Sequence, residues 1–254
     1  MKPYTAILFA TIVGFITSCS NDQNKKDTLI GSTKRISLIE YFHALPTASM
    51  YINNETKHQL SYSNTSWITK AKGIDYSFPI TVDPQNGYFE LHDQGTGGGG
   101  HVIQIAKYIN DHNREIVAVN SWHWNPVFSY YLGVRLFAFT EKGIIQITEK
   151  IFPKISIYSF ITQSFSMKEY QNLKKIRVIG SVIGYKLPRI GTSIRCFVLK
   201  DYLKQFIHDR DDGILSSEKK LIRKFLFSIK RETLEIKWDS KKSIFLLSTS
   251  HNGG

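Results

Sequence analysis

Three histidines and a run of glycines hold the chemistry that this sequence advertises most plainly. In "HDQGTGGGGHVIQ", His92 to Gln104, the residues Gly95, Gly97 and Gly100 satisfy G-x-G-x-x-G, the pattern by which a helix N-terminus receives a dinucleotide pyrophosphate. That pattern needs a helix behind the glycines. The residues from Val102 to Ile109 are instead β-branched and aromatic enough to form a strand. The P-loop spacing of Gly95 and Gly100 also fails, because His101 and Val102 stand where a lysine and a serine or threonine must reach phosphate and magnesium. The run reads as a connection between strands, and no cofactor is expected. Strands over 87–92, 101–109 and 114–123 would bring His92, His101 and His123, with Asp93, to one sheet end. There they could hold a divalent metal or supply a general base. A simple turn, however, pairs residue 109 with 114 and 101 with 122, which sets His123 on the other face unless a bulge intervenes. The expectation is no metal, with the His92/His101/His123 edge as the alternative for an envelope hydrolase or metal-dependent enzyme.

Other reactive arrangements fall short. Ser121 and His123 lack the G-x-S-x-G elbow of a hydrolase nucleophile. The segment from Asp209 to Gly213 resembles a calcium loop but places Arg210 and Lys219 where oxygen ligands belong. Cys196, in "TSIRCFVL", reads as a buried small apolar residue. "NSWHWNPVFSYY", Asn120 to Tyr131, offers recognition rather than reaction. Trp122, Trp124, Tyr130 and Tyr131 carry the amphipathic ring faces that bind sugars or protein partners.

The elements that position these residues follow from periodicity. Leu38, Ile39, Phe42 and Leu45 recur at helical spacing before Pro46, which predicts a helix over 37–44. Beyond it the period becomes two. "SWITKAKG", "YSFPITVD", "GYFELHD", "HVIQIAKYI", "REIVAVNSW", "YLGVRLFAFT" and "GIIQITEKI" alternate with turn signals, which predicts an antiparallel meander. Further on come a helix in "SMKEYQNLKKI" capped by Ser166, strands in "RVIGSVIGYKL" and "TSIRCFVL", a helical pair, and a closing hairpin turning at 239–242. The fold class is α+β, mostly antiparallel β-meander sheets with a few short helices.

The formal net charge is +12 at pH 7. Part of the excess lies where Lys219, Lys220, Arg223 and Lys224 flank the apolar stripe Leu221, Ile222, Phe225, Leu226 and Ile229. This predicts a basic amphipathic helix near the C-terminus. Packed on the core it is a solvated surface helix. Left uncovered, its stripe would dock on a membrane or partner, and its cations would suit an anionic surface or acidic glycan. Nucleic acid ranks last among polyanions for a chain with an exported address.

That address lies at the start. Lys2 precedes "YTAILFATIVGFITSCS", an apolar run too short to remain as a transmembrane helix. Its end, Ile16-Thr17-Ser18-Cys19, resembles the lipobox of bacterial lipoprotein signal peptides. The resemblance implies cleavage before Cys19, lipidation of its sulfur and attachment to the membrane. Residues 1–18 are then the signal peptide, and 19–34 a polar tether with too little apolar surface to order itself. Residues 35–153 form a β-rich N-terminal lobe and 154–254 an α+β C-terminal lobe, or the two make one continuous domain. Ser20 after the lipidated residue matches the pattern for outer-membrane export in Gram-negative sorting. "DPQNGYFELHDQGTGGGG", "YKLPRIGTSI" and "LEIKWDSKKSIF" are similar to stretches of uncharacterised Gram-negative, Bacteroidetes-type lipoproteins. That likeness implies a β-rich extracytoplasmic module and carries over no catalytic residue. The reading is a lipid-anchored cell-envelope protein acting as a non-catalytic binding or accessory module, its partner an envelope protein, glycan or anionic surface.

Overall fold

Asn110 to Arg114 set the register on which the rest of the molecule depends. Asn113 N–H donates to the Asn110 carbonyl at 2.9 Å, the Asn110 side-chain oxygen accepts from the backbone N–H groups of His112 and Arg114, and Asn113 has φ 57. A turn followed by a residue in the left-handed region makes a three-residue hairpin loop, which asparagine tolerates. The extra residue pairs Ile109 with Glu115 and therefore His101 with His123. The simple turn predicted from sequence is thus corrected by one position.

The computed structural model describes residues 36–50, 52, 60–63, 66–70, 77–93, 98–125, 129–161, 165–208, 213–229 and 231–248. The stretches read as signal peptide and tether, Cys19 among them, and Asp209 to Asp212 lie outside these residues. Strands β1 (Leu60–Ser63), β2 (Ser66–Lys70), β3 (Ser77–Asp83), β4 (Tyr88–Asp93), β5 (Gly100–Ile109), β6 (Glu115–Trp124), β7 (Ser129–Thr140) and β8 (Gly143–Gln146) form one sheet in sequence order. Each is antiparallel to the next. A second antiparallel sheet has the order β12-β11-β10-β9, from β9 (Ile183–Lys186), β10 (Ser193–Val198), β11 (Thr233–Asp239) and β12 (Ile244–Leu247). The helices are α1 (Leu38–Ala44), α2 (Thr148–Ile151), α3 (Met167–Lys175), α4 (Lys200–His208) and α5 (Ser216–Ser228). The architecture is α+β, as the alternating runs predict.

Local chemistry accounts for the helix ends. Ser37 Oγ accepts from Glu40 N at 3.2 Å while Glu40 Oε2 accepts from Ser37 N at 2.6 Å, a capping box that starts α1. Ser166 and Glu169 repeat it at α3. Two segments predicted as strands differ. "RVIGSVIGYKL" begins as a 3-10 turn over Arg177–Ser181, which buries the neighbours Val178 and Ile179 together, as a strand's alternation cannot. "GIIQITEKI" leaves the sheet after Gln146 because the Thr148 hydroxyl, rather than a backbone carbonyl, accepts from Leu136 N.

From β4 to β7 the large sheet is covered on both faces. Phe42, Leu45 and Met50 pack on Phe89, Ile103, Ile105, Val117 and Phe137. On the other face Tyr88, Tyr108, Ala118 and Leu136 join Ile194, Cys196 and Ile236 of the small sheet and Leu203, Ile222 and Phe225 of the helices in one cluster. Residues on either side of Lys154 therefore share a core. Cys196 is fully buried within it, and burial pushes its thiol up to about 12.

Candidate functional site

The small sheet ends at β9, and an edge strand needs partners for its outward backbone groups. Two amide side chains from the large sheet supply them. Asn120 Nδ2 donates to the Tyr185 carbonyl at 2.8 Å, and Gln104 Oε1 accepts from Leu187 N at 3.0 Å. The amides also bond each other, Asn120 Nδ2 to Gln104 Oε1 at 3.1 Å, and Gln104 Nε2 donates to Tyr88 Oη and to Glu90 Oε2. Gln104 and Asn120 are cross-strand partners and wholly buried. They act as the missing strand for β9, and so place it across the face of the eight-stranded sheet.

Beside this junction lies a cleft of about 400 Å³. Its floor follows from register, because directly paired residues of antiparallel strands share a face. Trp122 pairs with Val102 and with Tyr131, while Trp124 pairs with Gly100, so both indoles face the cleft. The rings of Trp122 and Tyr131 stack at 5.3 Å with 15° between planes. Glycine lets the next two rings lie close to the sheet. A Cβ on Gly100 would stand 2.6 Å from the Trp124 ring and 2.1 Å from the Asp93 carbonyl oxygen. Gly184 is opposite Phe197, and a Cβ there would stand 2.7 Å from that ring. An aromatic residue opposite a strand glycine covers it, a recurrent cross-strand device. Gly100, the glycine of the opening run at which β5 begins, thus makes room for an indole.

The rim is polar. Glu90 Oε2 is held by Tyr88 Oη at 2.5 Å and Gln104 Nε2 at 2.8 Å, which leaves Oε1 without an internal partner. Among the described residues, the His92 imidazole, the Tyr131 hydroxyl, the Lys186 ammonium and the indole N–H groups of Trp122 and Trp124 are likewise unengaged within the protein. Burial raises the Tyr131 phenol to about 12, so its hydroxyl stays protonated. Phe197 joins the cleft to a wider hollow of about 770 Å³ whose cations are partly neutralised, Lys200 by Glu232 and Lys204 by Asp201.

The three-histidine edge is not formed. His92 pairs with Val102 and faces the aromatic cleft, whereas His101 and His123 pair with each other on the opposite face, with Asp93 and Tyr130 in the same row. Period two separates what proximity in sequence suggested. No group of three His, Cys, Asp or Glu residues able to hold a metal is present among the described residues. Tyr130, read from sequence together with Trp122, Trp124 and Tyr131, accordingly lies outside the cleft.

His101 is 8% exposed, and its pKa falls to about 4 through burial and the nearby His123, against a hydrogen bond with the Met50 backbone. The unfolded chain takes up a proton near the ordinary 6.5, while the native ring resists it. Stability is therefore full above that value and declines as pH falls toward 4, by on the order of 3 kcal/mol. Denaturant midpoints followed from about pH 7 to about pH 4.5 should fall for the wild type and stay flatter for His101→Phe.

Helix α5 takes the packed form of the two readings open to it. Its apolar stripe is covered, with Ile222 and Phe225 fully buried and Leu221 and Leu226 packed against the same core, so no uncovered stripe is available for docking. Of its cations, Lys224 pairs with Glu169 and holds that carboxyl down to about 2, and Lys219 also has a partner. Lys220 and Arg223 remain exposed, as does Phe227 at 90%.

The sequence signals for the cleft were Trp122, Trp124 and Tyr131. Glu90, Tyr185, Lys186 and Phe197 came from distant segments; the pairing of Gly184 with Phe197 could have pointed to the β9 and β10 members, and no sequence signal pointed to Glu90. No family model matches the chain, nor does any curated protein. A solved domain of an uncharacterized protein from Porphyromonas gingivalis W83 is similar, with a TM-score of 0.54 at 12% identity. The similarity covers 84% of this chain and 98% of that one. At that identity it is a likeness of fold.

Proposed function

We propose that this protein is a lipid-anchored component of the cell envelope that acts as a non-catalytic binding module, with its ligand held in the cleft between β9 and the large sheet. The lipobox ending at Cys19 supports the address, and Ser20 supports the outer membrane as its destination. The observation that carries the binding reading is the row of half-buried aromatic rings, Trp122, Trp124, Tyr131 and Phe197, beside unengaged polar groups. Such a surface is kept half wet, which makes sense when a ligand completes it. The titrating imidazole of His101 lies on the other face of the sheet, away from these groups. A photo-crosslinking residue at position 186 in living cells tests the reading: an envelope ligand should be captured there, and absence of any adduct contradicts it.

A further inference from the structure

From the same cleft, and resting on the binding reading, we infer that the ligand is a saccharide, one pyranose ring lying on the aromatic platform and its hydroxyls meeting Glu90 and Lys186. Two features favour this class. The first is shape. Trp124 and Phe197 each lie over a cross-strand glycine, at 2.6 and 2.7 Å from the position a Cβ would take, so both rings are pressed toward the sheet and offer a broad face rather than a hole. A pyranose has an apolar C–H face that matches such a surface, and aromatic rings bind apolar faces while their polar handles stay wet. A peptide would find less here. Strand addition needs an open backbone edge, and the β9 groups at this junction, the Tyr185 carbonyl and the Leu187 N–H, are already bonded to Asn120 and Gln104.

The second feature is the mixture of polar groups. A sugar hydroxyl donates one hydrogen bond and accepts others. The cleft offers one strong acceptor, Glu90 Oε1, whose partner oxygen is fixed by Tyr88 and Gln104. It offers donors in Lys186 Nζ and the two indole N–H groups. A carboxylate clamped on one oxygen is oriented before the ligand arrives, which reduces the ordering cost of binding. Lys186 is exposed at the rim, where its charge also suits a saccharide bearing a carboxylate.

The experiment titrates the full chain, in a detergent free of sugar headgroups, with chitotriose, maltotriose and a galacturonic acid trisaccharide, reading tryptophan fluorescence and heat. At least one should bind saturably. Trp124→Ala should then weaken it by about tenfold or more, as loss of one stacked ring implies. Glu90→Gln tests the polar half without disturbing packing, because the amide can still present an oxygen to Tyr88 and Gln104 while its NH2 replaces the free acceptor. It too should weaken binding, and Lys220→Glu on α5 should leave it unchanged. Binding that survives both cleft substitutions overturns the inference. If all three sugars fail but an unstructured peptide library changes the fluorescence of wild type and not of Trp124→Ala, the saccharide assignment is overturned and the binding reading stands. If neither class acts through the cleft, both fall.

Discussion

Replacing Cys19 by alanine is expected to move the protein from the membrane pellet to the aqueous extract of the envelope. An acyl chain contributes about 0.8 kcal/mol per buried methylene, so a chain of about fifteen carbons contributes roughly 12 kcal/mol, and two such signals make anchoring durable. No substitution elsewhere in the chain should approach this effect. The covered stripe of α5 leaves Lys220, Arg223, Phe227 and the Glu169-paired Lys224 facing outward, and single surface charges are worth only about 1 kcal/mol each near an anionic leaflet. Fractionation of the wild type and Cys19→Ala in the same host, followed by a salt wash, makes the comparison. A variant that still pellets after the wash would remove the anchor from the account.

The second large effect is predicted for Gln104→Ala. The wild-type amide bonds Leu187 N, Asn120, Tyr88 and Glu90 from a site with no solvent access. Truncation leaves the Leu187 N–H and one Asn120 bond unmade beside a cavity, and each orphaned buried group costs about 1–3 kcal/mol. A total loss of about 3–5 kcal/mol follows, at the upper end for one substitution. The consequence reaches function because β9 carries Tyr185 and Lys186, one wall of the cleft. Chemical denaturation should show the loss of stability, and the purified variant should bind cleft ligands more weakly even where it remains folded. Gln104→Leu keeps the volume but not the bonds, so it should recover little of the deficit. Full recovery by leucine would mean that packing, not the amide, joins the sheets.

The meander was legible because its runs alternate and end in turn signals that stand in the sequence. Its register was not. A single left-handed residue, Asn113, moves His123 from beside Gly100 to beside His101, and no composition rule distinguishes a three-residue loop from a two-residue one at "NDHN". The basic helix was legible in its apolar face, and Ile222 and Phe225 are buried as that periodicity requires. Half of the cleft was legible too, since Trp122, Trp124 and Tyr131 stand within ten residues. The rest comes from β4 and β5, some thirty to twenty residues earlier, and from β9 and β10, more than fifty residues later, the last two brought there by two buried amides. Those amides look like ordinary polar residues in strands until their partners are known. The glycine run asked a question about phosphate, and Gly100 answers it by accommodating an indole.

Photo-crosslinking residues placed singly at positions 186, 220 and 130 compare the cleft with the basic helix and with the opposite sheet face, all in living cells. With the ligand held in the cleft, position 186 gives an adduct that disappears when Trp124→Ala is added, and positions 130 and 220 give none. Adducts from position 220 or 130, and none from 186, would contradict it.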